Sequence, residues 1–349
     1  MQAKLKFALL AALVSATCVP AAFAAQPAAF GTQVGDEQVG PIESLAREAW
    51  RENMAQISTP AEGCYHATYP SIIWEQIACT NLTPRAHSVP RKVRLGDSEN
   101  AGNGDDYVLS APSLITQTVG SFPSVTGVTS EKGVGVASYG GGGILGANEY
   151  SLQINSQFTS TTSACKGHSG CTVWQQFVYA PDYEVQGEAA VFMQYWLIGY
   201  GSNRCPSGWG SDGSGDCYRN SSAATAPDVP ATALGSMKLT GTAANGGNDT
   251  ATLTYGTQAY STSGKDSVVY LATVWKQSEF NVVGNAGGSE AEFNSGSSIT
   301  VKIGASYGST TAPTCVANDG STGESNNLNL GSCSATGGSS PYVQFTESN

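Results

Sequence analysis

The chain of 349 residues carries 16 Lys and Arg against 27 Asp and Glu, a formal charge of −11, and only 12% of its residues are charged. That balance excludes nucleic acid and anionic membrane as natural partners, because both select a basic face. Three histidines leave little material for imidazole catalysis, and 42 glycines among many β-branched and aromatic residues indicate strands joined by turns.

The N-terminus reads as a secretory signal. Lys4 and Lys6 precede an apolar run from Phe7 to Val14, and Ala22-Phe23-Ala24 offers the small-x-small cleavage site. The run is too short to anchor a membrane, and Cys18 lacks the upstream Leu of a lipoprotein signal. Residues 1–24 are therefore set aside, and the export route makes the protein secreted or periplasmic. Loss of Lys4 and Lys6 takes the charge from −11 to −13.

Residues 25–104 differ from the rest of the chain. Pro41 and Glu43 open a segment with Ile42, Leu45, Ala46, Ala49 and Trp50 at helical spacing, which predicts a helix over about 41–55. Cys64 and Cys79 close a small unit after it. Pro84 to Arg94 is a basic, proline-punctuated linker, and Gly96 to Asp106 is polar and rich in Gly and Asn. A mixed leader followed by a basic linker reads as a propeptide, with an ordinary N-terminal subdomain as the alternative.

From residue 105 to 349 the pattern turns to period two. Only eight Lys and Arg fall in this stretch. Strands are predicted at 150–155, 191–198, 251–255, 267–271 and 298–303, separated by Gly, Asn, Asp and Ser clusters. Many short strands without a convincing helix predict an all-β sandwich or barrel. The eight cysteines left after the signal fall into close neighbours, which favours Cys64–Cys79, Cys165–Cys171, Cys205–Cys217 and Cys315–Cys333 as disulfides over a metal site.

Little conventional chemistry is available. His168 sits in a small Cys165–Cys171 loop, no G-x-S-x-G occurs, and zinc spacings are absent. A calcium loop at Asp212 to Asp216 is less favoured than a disulfide-closed polar turn. That leaves carboxylates and amides. Glu279 stands in a strand-like run between aromatic and apolar neighbours, where desolvation would suit it to acid–base work. Gln175 and Gln176 lie inside the aromatic run Trp174 to Tyr179. Strand parity puts Gln175 with Phe177 and Gln176 with Trp174, so one glutamine at most can share a face with Glu279.

The stretch Ser278-Glu279-Phe280-Asn281-Val282-Val283, followed by Ala291-Glu292-Phe293 and Ser298 to Val301, resembles the glutamic peptidases (eqolisins). Trp174 to Val178 after Cys171 is similar to that family's glutamine strand, and Met193 to Leu197 stands where it has an aromatic strand. The segment from Trp174 to Cys217-Tyr218 also resembles the neprosin-type peptidases, whose first glutamate has no counterpart here. The resemblance covers roughly residues 150–305 and suggests a secreted bacterial or fungal branch of that superfamily. It implies a concanavalin-like antiparallel β-sandwich behind a small helical, disulfide-closed N-terminal region. It implies Glu279 as the catalytic carboxylate, Gln175 as the better match for the oxyanion donor with Gln176 one step away, and no metal or cofactor. Trp174, Gln194, Tyr195, Trp196 and Trp275 would bind an extended polypeptide, and the enzyme would act as a monomer at acid pH. The competing readings are a carbohydrate-binding module using the same aromatic and amide residues, and a structural protein without a ligand.

Overall fold

The computed structural model describes residues 39–82 and 106–349, apart from 138–139, 166, 184–186, 202–203, 214 and 318–323. The segments predicted as a signal and as a basic linker lie outside the described residues. The helix spans Pro41–Gln56. Pro41 stands where no intrahelical N–H is needed, and Glu43 meets the positive end of the dipole. The face it buries is not the apolar stripe expected from the sequence. Ile42 and Leu45 are exposed, while Trp50, Arg51, Met54 and Ala55 are buried. The buried Arg51 donates to Gly256 O at 2.9 Å and pairs with Glu48 at 2.7 Å, so its charge is compensated.

Two antiparallel sheets form the sandwich. The larger runs Glu75–Ile77, Gly63–Thr68, Gln258–Lys265, Asn248–Tyr255, Met237–Thr242, Gln117–Thr126, Ser298–Ser306, Tyr342–Ser348 and Asn329–Leu330. The smaller runs Gly210–Ser211, Cys217–Asn220, Ala190–Ile198, Thr172–Ala180, Tyr150–Ser156, Gln277–Gly284, Tyr107–Ser110 and Thr314–Ala317. Alternation is clean in Ser298–Ser306, where Ile299, Val301 and Ile303 are buried and Lys302 points outward. These residues meet Phe177, Met193, Phe280 and Val282 of the smaller sheet in one core. The sheets approach closely because Gly120 and Gly241 of the larger one leave room for the rings of Phe280 and Phe177.

The predicted strand at 267–271 is instead a pair of 3-10 turns, Asp266–Val268 and Leu271–Thr273. Asp266 Oδ1 accepts from Ala272 N at 2.9 Å, and Tyr270 takes a left-handed conformation. Local side-chain bonding by Asp outcompetes the β-propensity of Val268 and Val269. The four disulfides are Cys64–Cys79, Cys165–Cys171, Cys205–Cys217 and Cys315–Cys333. Among the described residues no helix is long and apolar enough to cross a membrane.

The N-terminal segment is built into the larger sheet. Gly63–Thr68 pairs residue for residue with Gln258–Lys265, and Cys64 belongs to the common core. Thr80 bridges to Ala223, and Leu82 packs on the cluster of Val178, Ala180 and Phe192 on the outside of the smaller sheet.

Candidate active site on the smaller sheet

The strand register lines up a row of polar side chains across the outer face of the smaller sheet. Glu279 lies opposite Asn155, Asn155 opposite Gln176, Gln176 opposite Gln194, and Gln194 opposite Asn220. Directly paired residues share a face, so these side chains are successive neighbours along the row. Phe280, one step from Glu279, faces the core, and that alternation turns the carboxylate outward.

Glu279 is 2% exposed. Its Oε2 accepts from Asn155 Nδ2 at 3.2 Å, and Asp106 forms a further hydrogen bond with it. Asp106 also accepts from Asn281 Nδ2 at 2.5 Å, and Asn281 reaches Glu347 at 3.1 Å. Burial raises the Asp106 carboxyl above its ordinary range, against the opposing pull of its bonds to Glu279 and Asn281.

Gln176 is fully buried two strands from Glu279. It donates to Gln153 at 2.9 Å and accepts from Trp196 Nε1 at 3.2 Å. Trp196 Nε1 also bonds Gln194, Gln194 donates to Asn220, and Asn220 donates to Tyr183. Beside the amides runs an aromatic ladder in which Trp196 lies opposite both Trp174 and Tyr218, with Phe158 against Trp174 at 5.1 Å between ring centroids. Two polar atoms of this face, Asn155 Oδ1 and Trp174 Nε1, have no partner among the described residues. Buried polar atoms without partners are costly, so this face combines a paired carboxylate, oriented amides and unspent hydrogen-bonding capacity.

The other expected residues lie on the opposite face. Gln175 turns inward and donates to Asp249 Oδ2 of the larger sheet at 3.0 Å. Burial and the neighbouring Asp266 push Asp249 up to about 8. Tyr195 also faces the core, and Trp275 is fully buried there, stacked on Phe177. These three are corrections to the expected substrate face. Alternation removes Gln175 and Tyr195, and Trp275 precedes the strand and packs from the adjoining 3-10 turn. Trp174, Gln176, Gln194 and Trp196 share the face with Glu279. Asn155 and Asp106 were missed. Parity with Leu152 and Ile154 could have pointed to Asn155, whereas Asp106 closes a polar stretch that reads as linker.

The remaining sequence candidates have structural roles. His168 Nδ1 bonds Tyr200 O at 2.7 Å and its ring stacks on Tyr200. Asp212 and Asp216 accept from backbone N–H groups of Asp216 and Gly199. Two clefts open elsewhere on the molecule, one lined by Lys238, Lys302 and Tyr342 and one by Glu62, Trp209 and Arg219; neither is lined by Glu279 or Gln176.

No family model matches the chain, and no curated protein matches it. Two solved structures are similar to it. One is a member of the eqolisin family of peptidases in a complex with the tripeptide Ala-Ile-His, with 12% identity, covering 69% of this chain and 96% of that one at a TM-score of 0.28. The other is scytalido-glutamic peptidase with a transition state analog inhibitor, with 12% identity, covering 70% of this chain and 97% of that one at a TM-score of 0.25. At this level of likeness the functional reading has to come from the side chains.

Proposed function

We propose that the protein is an exported, acid-active endopeptidase of the glutamic type, working on polypeptide without metal or cofactor. The observation that carries the reading is the shared face of Glu279 and Gln176, with Asn155 between them and bonded to the carboxylate. Adjacent strands stand about 4.8 Å apart, so Glu279 and Gln176 lie roughly 10 Å apart at the backbone with the Asn155 side chain between them, and all three are buried, so substrate entry would require the cover of this face to open.

In this mechanism the Glu279 carboxylate takes a proton from water as the water oxygen attacks the scissile carbonyl carbon. The carbonyl electrons move onto oxygen, and the Gln176 amide donates to that oxyanion. Glu279 then passes its proton to the amide nitrogen as the C–N bond breaks, releasing an amine and a carboxylic acid. Trp174 and Trp196 would flank the substrate backbone, and Gln194 would hold the Trp196 indole. Gln175 has no part in this scheme, because it faces the core, on the opposite side of the sheet from Glu279.

The four disulfides fit life in an oxidising compartment, secreted or periplasmic. Residues 25–104 would act as a propeptide. Since the strand Gly63–Thr68 is part of the larger sheet, removing all of that region would expose the Gln258–Lys265 edge.

The test is digestion of a denatured protein by the purified chain at pH 3–7, beside Glu279→Gln and Gln176→Ala. Loss of cleavage in Glu279→Gln with unchanged circular dichroism is expected. Equal cleavage by wild type and Glu279→Gln would overturn the reading, and glycan binding without proteolysis would replace it with a carbohydrate-binding module.

A further inference from the structure

The cleft lined by Glu62, Trp209 and Arg219 has no part in the peptidase mechanism. It encloses about 510 Å³ and takes its walls from both sheets, Tyr195 and Arg219 from the smaller and Gly264 and Lys265 from the larger. Arg219 lies opposite Tyr195, whose side chain turns inward, so both stand on the side of the sheet away from Glu279, Gln176 and Gln194. Gly264 keeps the floor open, because a Cβ there would stand 3.2 Å from the Tyr195 hydroxyl. That hydroxyl is poorly served: it is buried, and its recorded hydrogen-bond partner is the Met193 sulfur at 3.7 Å. Burial pushes it up, so it remains an O–H donor, and the charges of Arg219 and Glu62 both reach it. Arg219 is exposed and forms no ion pair among the described residues. Lys265 Nζ stands 3.9 Å from Glu62 at the rim, beyond hydrogen-bond reach. Trp209 is half-buried, and the Cys205–Cys217 disulfide ties its loop to the strand that carries Arg219.

We propose that this cleft is a second binding site, separate from the Glu279 face, for an acidic sugar: a hexuronate unit whose carboxylate is held by Arg219. The proposal does not rest on the peptidase reading, since no residue of the cleft takes part in that chemistry. A planar guanidinium without a protein carboxylate matches a ligand carboxylate through two parallel N–H donors. The Tyr195 hydroxyl adds a donor from the floor. Lys265 and Glu62 present a donor and an acceptor to ring hydroxyls at the rim. The Trp209 ring supplies a flat apolar surface for the C–H face of the sugar. A bare inorganic anion would leave Trp209 and Glu62 without a role, and a neutral sugar would leave Arg219 without a partner. The volume falls in the usual range for small-ligand clefts, about 300–1,000 Å³.

The test is calorimetric titration of the full chain with digalacturonate at about pH 6, where the sugar acid is ionised and both cations are charged. Saturable binding of one ligand per chain, with Kd of about 1 mM or tighter, is expected. Arg219→Ala, a change at an exposed side chain, should weaken binding about tenfold or more, and the neutral disaccharide galactobiose should lose a similar factor. Lys302→Ala, in the other cleft, should bind as wild type. Bound sugar should also change the tryptophan fluorescence, and Trp209→Phe should abolish that change while retaining part of the affinity. Absence of saturation at about 10 mM sugar would overturn the proposal, as would equal affinity in Arg219→Ala. Acetate binding as tightly as digalacturonate would reduce the cleft to an anion site and overturn the sugar. A fluorescence change that persists in Trp209→Phe would place the sugar elsewhere on the molecule and overturn the cleft.

Discussion

The ring of Phe280 fills the space that a side chain on Gly120 would need: a Cβ at Gly120 would lie 2.2 Å from the ring. This contact joins the larger sheet to the strand that carries Glu279. Gly120→Ala should therefore cost about 1–3 kcal/mol, because the sheets must part or Phe280 must leave its rotamer. Phe280→Ala should cost about 3–5 kcal/mol by opening a cavity. Denaturant midpoints check both. Of the two, Gly120→Ala should lower proteolysis more than its stability loss explains, since it displaces the backbone beside Glu279.

The neighbouring glutamines should behave as opposites. Gln176→Ala should reduce kcat by about 10²–10³ if its amide meets the oxyanion. Gln175→Ala should leave catalysis nearly intact in the folded fraction but cost about 1–3 kcal/mol, because Asp249 loses its donor inside the core. Single-turnover kinetics and thermal melts on the same preparations distinguish these outcomes.

Stability should fall as pH rises, the reverse of a protein stabilised by ion pairs. Burial, with the Glu149 charge nearby, pushes Glu131 up to about 8, and neither Glu131 oxygen has a partner among the described residues. Glu149 is pushed up to about 8 by burial and by its contact with Asp182, and Asp249 to about 8 by burial and Asp266. Each group binds its proton more tightly folded than unfolded. Their contribution is complete below pH ~4, the unfolded range, and is lost as pH climbs through about 8, at up to ~1.4 kcal/mol per pKa unit for a buried group. Melting curves should show a higher Tm at pH 4 than at pH 8, and Glu131→Gln should flatten the difference.

A cut between Leu82 and Asp106 should leave a two-chain protein. Cys64–Cys79 is internal to the N-terminal part, and the other three disulfides are internal to the rest. The parts are held by the pairing of Gly63–Thr68 with Gln258–Lys265 and by the Arg51 bond to Gly256. They should co-elute in native gel filtration and separate in detergent without reductant. Arg51→Ala should weaken retention of the N-terminal fragment.

Much of the sandwich was legible in the sequence because alternation and turn residues act locally. The helix at 41–56 and the strand Ser298–Ser306 needed only periodicity. The turns at 266–273 were not legible, since Asp266 reaches Ala272 through a side-chain bond that no apolar pattern records. At the candidate site, parity separated Gln175 from Gln176 but could not say which of them shared a face with Glu279. That depends on the register of Tyr150–Ser156 between the two strands. Asp106 was hidden for another reason: its hydrogen-bond partners, Asn281 and Glu279, lie far along the chain, while the residues just before it in sequence are polar and small.

From Cys64 onward, each cysteine bonds to its neighbour along the chain, across separations of 15, 6, 12 and 18 residues. A polypeptide threaded out of the cell N-terminus first presents its thiols in that same order. Oxidation of each pair as it emerges gives the native set among about 105 alternatives. Such a chain can close its cross-links without shuffling them, so under the export proposed above its yield should depend on the supply of oxidant far more than on an isomerase.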